Sequence, residues 1–126
     1  MCPVLLMPRS AIAQAKRNHP ERDYRVADIC TDRLPRCDAV LCRDAFQHLS
    51  IPDGLAALAN FRRTGARWLL ASTHLDVNEG AETGGYYPAN LTAAPFDLGL
   101  PERLWPDGSW DRGVVFPRKY FGAWRL

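Results

Sequence analysis

His48 and His74 each follow a short apolar run that breaks off into polar side chains. Arg43, Asp44 and Gln47 come after Ala39-Val-Leu-Cys42, and Ser72 and Thr73 come after Trp68-Leu-Leu-Ala71. Imidazole titrates near neutrality, which makes both histidines candidate general bases, with a structural hydrogen-bond role as the alternative. Arg43 offers forked donors and Asp44 a carboxylate, a pair suited to orienting a polar or anionic acceptor, or else to a local ion pair.

Such side chains need rigid elements behind them. Ala39 to Cys42 suits a strand buried on both faces, as in parallel sheets, and the carboxyl ends of such strands face the ligand crevice in open α/β folds. Trp68 to Ala71 predicts a second buried strand, ending at Ser72, Thr73 and His74. Between them, Ser50-Ile-Pro-Asp53 has the form of a capping box, so a helix is expected to begin near Ile51. Its apolar face is expected to carry Ile51, Leu55, Leu58 and Ala59, and Gly65 is expected to stop it after Arg62 and Arg63 complement the dipole. Upstream, Val4 to Met7 reads as a short strand, and a helix opens at Ser10 after Pro8 and closes at Asn18-His19-Pro20. Tyr24 to Ala27 alternates and predicts a strand ending at Asp28, with a polar connection from Thr31 to Arg36.

Leu75 to Leu100 has little periodicity and is rich in Gly, Asn and Pro, but its aromatic residues Tyr86, Tyr87 and Phe96 argue against disorder. A substrate-covering loop is expected, with Asn78, Gly85 and Asn90 as candidate substrate-binding positions. The tail returns to strand character at Leu104-Trp105, turns at Asp107-Gly108, and alternates from Tyr120 to Leu126, which predicts an antiparallel pair.

Length and composition bound the function. At 126 residues the chain reads as one domain, and its formal charge of +2 is too weak to imply nucleic acid as a partner. No apolar run approaches the roughly 20 residues that span a bilayer, and Met1 to Met7 lacks the features of a signal peptide, so no membrane partner is expected. Cys2, Cys30, Cys37 and Cys42 form no Cys-x-x-Cys pair and read as reduced thiols, which points to a cytoplasmic protein. Combining Cys30, Cys37, Cys42 and His48 matches no closed zinc pattern, so no metal is expected.

The order of elements and the motifs Cys42-Arg-Asp44 with His48-Leu49, Ser72-Thr-His74, Asn90-Leu91 with Pro95-Phe96, and Trp124-Arg-Leu126 together resemble the carboxyl-terminal portion of class I methyltransferases that use S-adenosylmethionine. The resemblance implies an α/β fold with an incomplete Rossmann-like methyltransferase sheet, mostly parallel, with an antiparallel carboxyl-terminal strand pair. It implies Asp28 for the adenine amino group, Ile29 for the adenine ring, and Cys42 with Arg43 for the methionine part of the cofactor. Asp44 would then join the substrate side. The family's Gly-rich loop has no counterpart, because no glycine precedes Gly54. A truncated methyltransferase acting on a small polar acceptor such as a saccharide or metabolite is therefore expected, with cofactor binding weakened or lost. The alternative is a catalytically inactive methyltransferase-like module whose exposed sheet edge supports a homodimer or recruits a partner strand. A nicotinamide-binding Rossmann domain is less well matched, since its own Gly-rich fingerprint is missing as well.

Overall fold

The computed structural model describes residues 9–107 and 118–126, and between them the backbone of 110–111 and 114–115. The expected strand from Val4 to Met7 and the glycine of the Asp107-Gly108 turn lie outside the described residues. Helix α1 spans Arg9–Asn18, with Lys16 and Arg17 in its last turn, where cations complement the dipole. Strand β1 is Ala39–Cys42, followed by a 3-10 turn at Phe46–His48. Helix α2 runs Ile51–Arg63. Its cap forms as expected, with Ser50 Oγ accepting from Asp53 N at 3.3 Å. Asp53 does not close the box itself. Ser50 N donates to Thr83 Oγ1 at 2.9 Å, and that hydroxyl in turn donates to Asp53, so a loop residue completes the cap. Gly65, at φ 80°, ends the helix in the left-handed region that glycine enters without penalty.

Strand β2 covers Trp68–His74, β3 Arg103–Pro106, β4 Trp110–Asp111, β5 Val114–Val115 and β6 Lys119–Arg125. The main sheet has the order β1-β2-β6-β3, and β4 and β5 form a separate two-stranded ribbon. The antiparallel carboxyl-terminal pair, β3 with β6, is present. The sheet is mixed, however, and not mostly parallel. Among the described residues only β1 and β2 pair in parallel, while β6 runs antiparallel to both β2 and β3. The last strand lies between two strands that precede it, so β1, β2 and β3 all point the same way and end at the same edge.

Alternation along β2 gives the sheet two different faces. Leu69, Ala71 and Thr73 are fully buried, and Leu69 and Ala71 join Trp124, Leu58, Phe61, Leu91 and Phe96 in one apolar core beneath α2. Ser72 and His74 point to the other face, which they share with Lys119, the cross-strand partner of His74.

Three expectations are corrected here. The alternating segment Tyr24 to Ala27 forms no strand. It pairs with no neighbour and leaves Val26 60% exposed, and alternation without a partner does not hold an extended chain in a sheet. Strand β1 is not buried on both faces. As the terminal strand of the sheet among the described residues it leaves Leu41 71% exposed while Cys42 enters the core. The buried face of α2 is Gly54, Ala57, Leu58 and Phe61, a row rotated from the expected one, with Leu55 and Ala59 exposed. Asn60 is buried with them because its amide donates to Ile29 O at 2.8 Å and Asp32 O at 2.7 Å, tying the 28–32 turn to the helix.

Gly122 is required by contact. The ring of Trp124 lies across it, so that a Cβ would stand 2.7 Å from Cζ3 and overlap Cη2. The indole is held there by Nε1 donating to Gly99 O at 2.9 Å. Gly122→Ala is therefore expected to destabilise the protein by about 1–3 kcal/mol, the usual range for overpacking a core. Equal midpoints for variant and wild type in urea unfolding would contradict this packing.

Candidate functional site

The polar side chains that the sequence singles out gather where β1, β2 and β3 end and β6 begins. Asp44 takes φ 56°, a left-handed conformation that Asp tolerates better than most residues. The turn brings its N–H to Ser72 Oγ at 3.0 Å, and the same hydroxyl donates to Asp44 Oδ1 at 3.3 Å. Gln47 Nε2 donates to that oxygen as well, at 3.0 Å. The first residues after β1 are thereby fastened to the end of β2.

A chain of alternating charges then crosses the sheet. Lys119 Nζ is ion-paired with Asp44 and lies 3.6 Å from Asp107 Oδ2, and Arg43 Nη2 donates to Asp107 Oδ1 at 2.9 Å. Two cations and two carboxylates alternate, and the Lys119 and Asp107 side chains are only 7% exposed. Buried charges are tolerated when paired in this way. Asp107 Oδ2 is buried and lacks a hydrogen bond of its own, so its compensation is the Lys119 charge. Burial pushes the Asp44 carboxyl up, yet the hydrogen bonds from Lys119 and Gln47 and the charges of Lys119 and Arg43 outweigh it and leave the group below the ordinary value. Asp44 is thus ionised at neutral pH. The sequence marks Asp107 only as part of a turn and gives Lys119 no role.

The histidines flank Tyr86. Its ring centroid lies 5.7 Å from that of His48 and 6.3 Å from that of His74. His48 Nδ1 is 2.8 Å from Gly85 O. A carbonyl only accepts, so Nδ1 carries the hydrogen. His74 is 4% exposed, and its Nε2 meets the Tyr86 hydroxyl at 3.4 Å. Its proton affinity is lowered by burial first and by the Lys119 charge second, against smaller opposing effects from Ala89, Asp76 and Asp44. Tyr86 is half exposed, so it stands between the buried imidazole and solvent. The aromatic residue beside Gly85 was the available sequence signal for this role.

The 75–100 segment is irregular but is stitched to the same strand ends. His74 N donates to Ala89 O at 2.8 Å, Tyr87 N to Gln47 O at 3.0 Å, and Gly84 N to His48 O at 2.8 Å. Asn78 and Asn90 act within the loop. Asn78 Nδ2 donates to Asn90 O and Ala94 O, both at 2.8 Å, while Asn78 Oδ1 accepts from Asn90 N and the Asn90 amide donates to Asp76 O. Both hydrogens of the Asn78 amide are therefore already bonded. Gly85 contributes its carbonyl to His48.

Asp28, Ile29 and Cys42, the remaining expected positions, take no part in this charge network. Asp28 is exposed and accepts from Cys30 N at 2.8 Å, a bond that holds its carboxyl below the ordinary value. Ile29 is packed in the core. Cys30 Sγ donates to Asp53 O at 3.4 Å, and burial is the main cause that raises its thiol to about 11. Cys42 is buried, which pushes its thiol up to about 12, with Asp44 and Cys30 adding to the rise. Both are protonated and unreactive at neutral pH. Among the described residues no group of three or more His, Cys, Asp and Glu is placed to hold a metal ion, and no helix is long and apolar enough to cross a membrane.

The lowered proton affinity of His74 has a consequence for stability. As the pH falls through the ordinary histidine value of about 6.5, the unfolded chain takes up a proton that folded His74 refuses. Stability is expected to fall in that window, and His74→Asn is expected to flatten the dependence. Urea unfolding at pH 7.5, 6.5 and 5.5 checks this, and an unchanged slope in the variant counts against a buried neutral imidazole.

No family model matches the chain, and no curated protein is similar enough to it to count as a relative.

Proposed function

We propose that this chain is a methyltransferase-type domain that takes S-adenosylmethionine as cofactor and a small polar acceptor, a saccharide or metabolite, as substrate. The observation that carries this proposal is the convergence of Arg43, Asp44, His48, His74 and Tyr86 at the carboxyl end of the parallel pair β1 and β2, where open α/β sheets bind ligands. The antiparallel β3–β6 pair that follows the loop agrees with the element order that suggested the family.

The residues fit the cofactor at one end. Asp28 presents an exposed, ionised carboxylate on a fixed turn, which suits the exocyclic amine of adenine. The Ile29 side chain is packed in the core and offers no open face to the purine. The strand end at Cys42 and Arg43 would meet the methionine part. When bound, the cofactor supplies an electrophilic methyl group. The protein's share is positioning and proton removal. Arg43 and Asp44 orient the acceptor, and Asp44 stays ionised to accept from its hydroxyl or amine. The Tyr86–His74 pair takes the proton. His48, through Gly85, holds the backbone beside Tyr86 in place.

Calorimetric titration with S-adenosylhomocysteine tests the proposal. Binding is expected, and Asp28→Ala is expected to weaken it by about tenfold, the equivalent of ~1.4 kcal/mol for one hydrogen bond to a charged group. No heat of binding at millimolar ligand would sink the enzyme reading. A second reading, an inactive module that self-associates through its sheet edge, is favoured by one observation: among the described residues β1 is the terminal strand of the main sheet, and it carries the exposed Leu41. Light scattering on the wild type and on Leu41→Lys separates the two. A dimer lost in the variant favours the module, whereas a monomer in both removes self-association.

A further inference from the structure

Lys119 occupies a place that an ordinary surface lysine does not. It is the first residue of β6 and pairs in register with His74 across the β2–β6 ladder, so the two side chains rise from the same face of the sheet. Its side chain is 7% exposed, and its ammonium is held from both sides by carboxylates, Asp44 from the turn after β1 and Asp107 from the end of β3. The backbone is fastened too, with Asp107 N donating to Lys119 O at 3.0 Å. A long, flexible side chain is thereby fixed as a point charge beside a buried imidazole. Desolvating a lysine to this degree is unfavourable unless the charge is paired, and here two carboxylates from two different strand ends are supplied for it.

We propose that Lys119 is the positioning residue of this site: its ammonium, anchored by Asp44 and Asp107 on the sheet face that carries His74, keeps the imidazole a proton acceptor for the Tyr86 hydroxyl. The groups facing His74 are Lys119 from β6, Asp44 from the turn after β1, and Asp76 and Tyr86 from the loop after β2. Asp76 is itself paired with Arg118, at 3.5 Å. Of these, Lys119 is the cation that opposes a second positive charge on the ring, and the direction of the His74 shift agrees with that placement. In the proton transfer, an acceptor O–H bond breaks and a new O–H bond forms on the Tyr86 oxygen. The proton that Tyr86 gives up forms an N–H bond at His74 Nε2, leaving imidazolium beside phenol, and the acceptor oxygen keeps the electron pair with which it would bond the incoming methyl group. Nothing is oxidised or reduced. In this role Lys119 acts through His74.

This use of Lys119 rests on the proposed function only for its last step, because the coupling between Lys119 and His74 is measurable on the full chain without cofactor. NMR titration of the His74 ring resonances is the experiment, on the wild type, Lys119→Gln, Lys119→Arg and Asp44→Asn. Lys119→Gln is expected to raise the His74 midpoint by about one pH unit, a tenfold gain in proton affinity, and Lys119→Arg to restore it. Asp44→Asn, which removes a carboxylate and leaves the ammonium, is expected to move the midpoint down. A merely structural lysine would not give shifts of opposite sign. An unchanged or lowered midpoint in Lys119→Gln would overturn the proposal. Should that variant fail to fold, Lys119→Met, which keeps the aliphatic stem and removes only the charge, decides: a raised midpoint supports the coupling and an unchanged or lowered one overturns it. Titration with S-adenosylhomocysteine reads separately, so the coupling can hold where the methyltransferase reading fails, and the reverse.

Discussion

The register of β6 against β2 is the constraint on which the rest of the structure depends. Seven consecutive residue pairs, from Trp68 with Arg125 to His74 with Lys119, fix this ladder. A shift by one residue would exchange the two faces of the strand. Trp124 would leave the core beneath α2, and Lys119 would leave the face it shares with His74. Core and site are therefore specified together by one alignment. The contact of Trp124 with Gly122 helps to set it, since the ring needs a residue without a side chain two positions earlier on the same face.

The site is built from strand ends and not from any one segment. Asp44, Ser72, Asp107 and Lys119 come from four strands and their immediate continuations, yet they form one hydrogen-bonded and ion-paired group, with His74 beside it as the cross-strand neighbour of Lys119. The irregular 75–100 segment adds Tyr86 and is held down by backbone bonds to Gln47, His48 and His74. With Arg43 on Asp107 the charges balance, which lets Lys119 and Asp107 be buried. Because the partners lie on separate elements, the group also couples the outer strands β1 and β3 across the sheet.

Much of this was legible in the chain, and the misses have physical causes. Strands β1 and β2, the Ser50 cap and the Gly65 stop are local features, set by apolar runs and by side chains within a few residues of the backbone groups they satisfy. The face of α2 was misread because its buried row includes Gly54 and Asn60. A glycine carries no hydrophobic signal, and an asparagine is buried only because two carbonyls from the 28–32 turn await its amide. Tyr24 to Ala27 shows the reverse error, since alternation is a statement about faces and the sheet supplies no neighbour there. The mostly parallel sheet was misjudged because nothing local says that the last strand inserts between two earlier ones. Arg43, Asp44, His48 and His74 could be found because they follow apolar runs. Lys119 and Asp107 could not, since their meaning lies in partners far along the chain.

The insertion of β6 also dictates an order of assembly. Strands β1 and β2 with α2 form a local unit that can arise early, but its apolar face lacks Trp124 until the chain has passed through the loop, β3 and the β4–β5 ribbon. Closing so distant a contact carries a loop entropy that near neighbours do not, so the final strand is the slow one. Until it docks, β2 keeps an unpaired edge and His74 has no ammonium opposite it. One strand, β6, thus supplies both the Trp124 that completes the core and the Lys119 that completes the charge network.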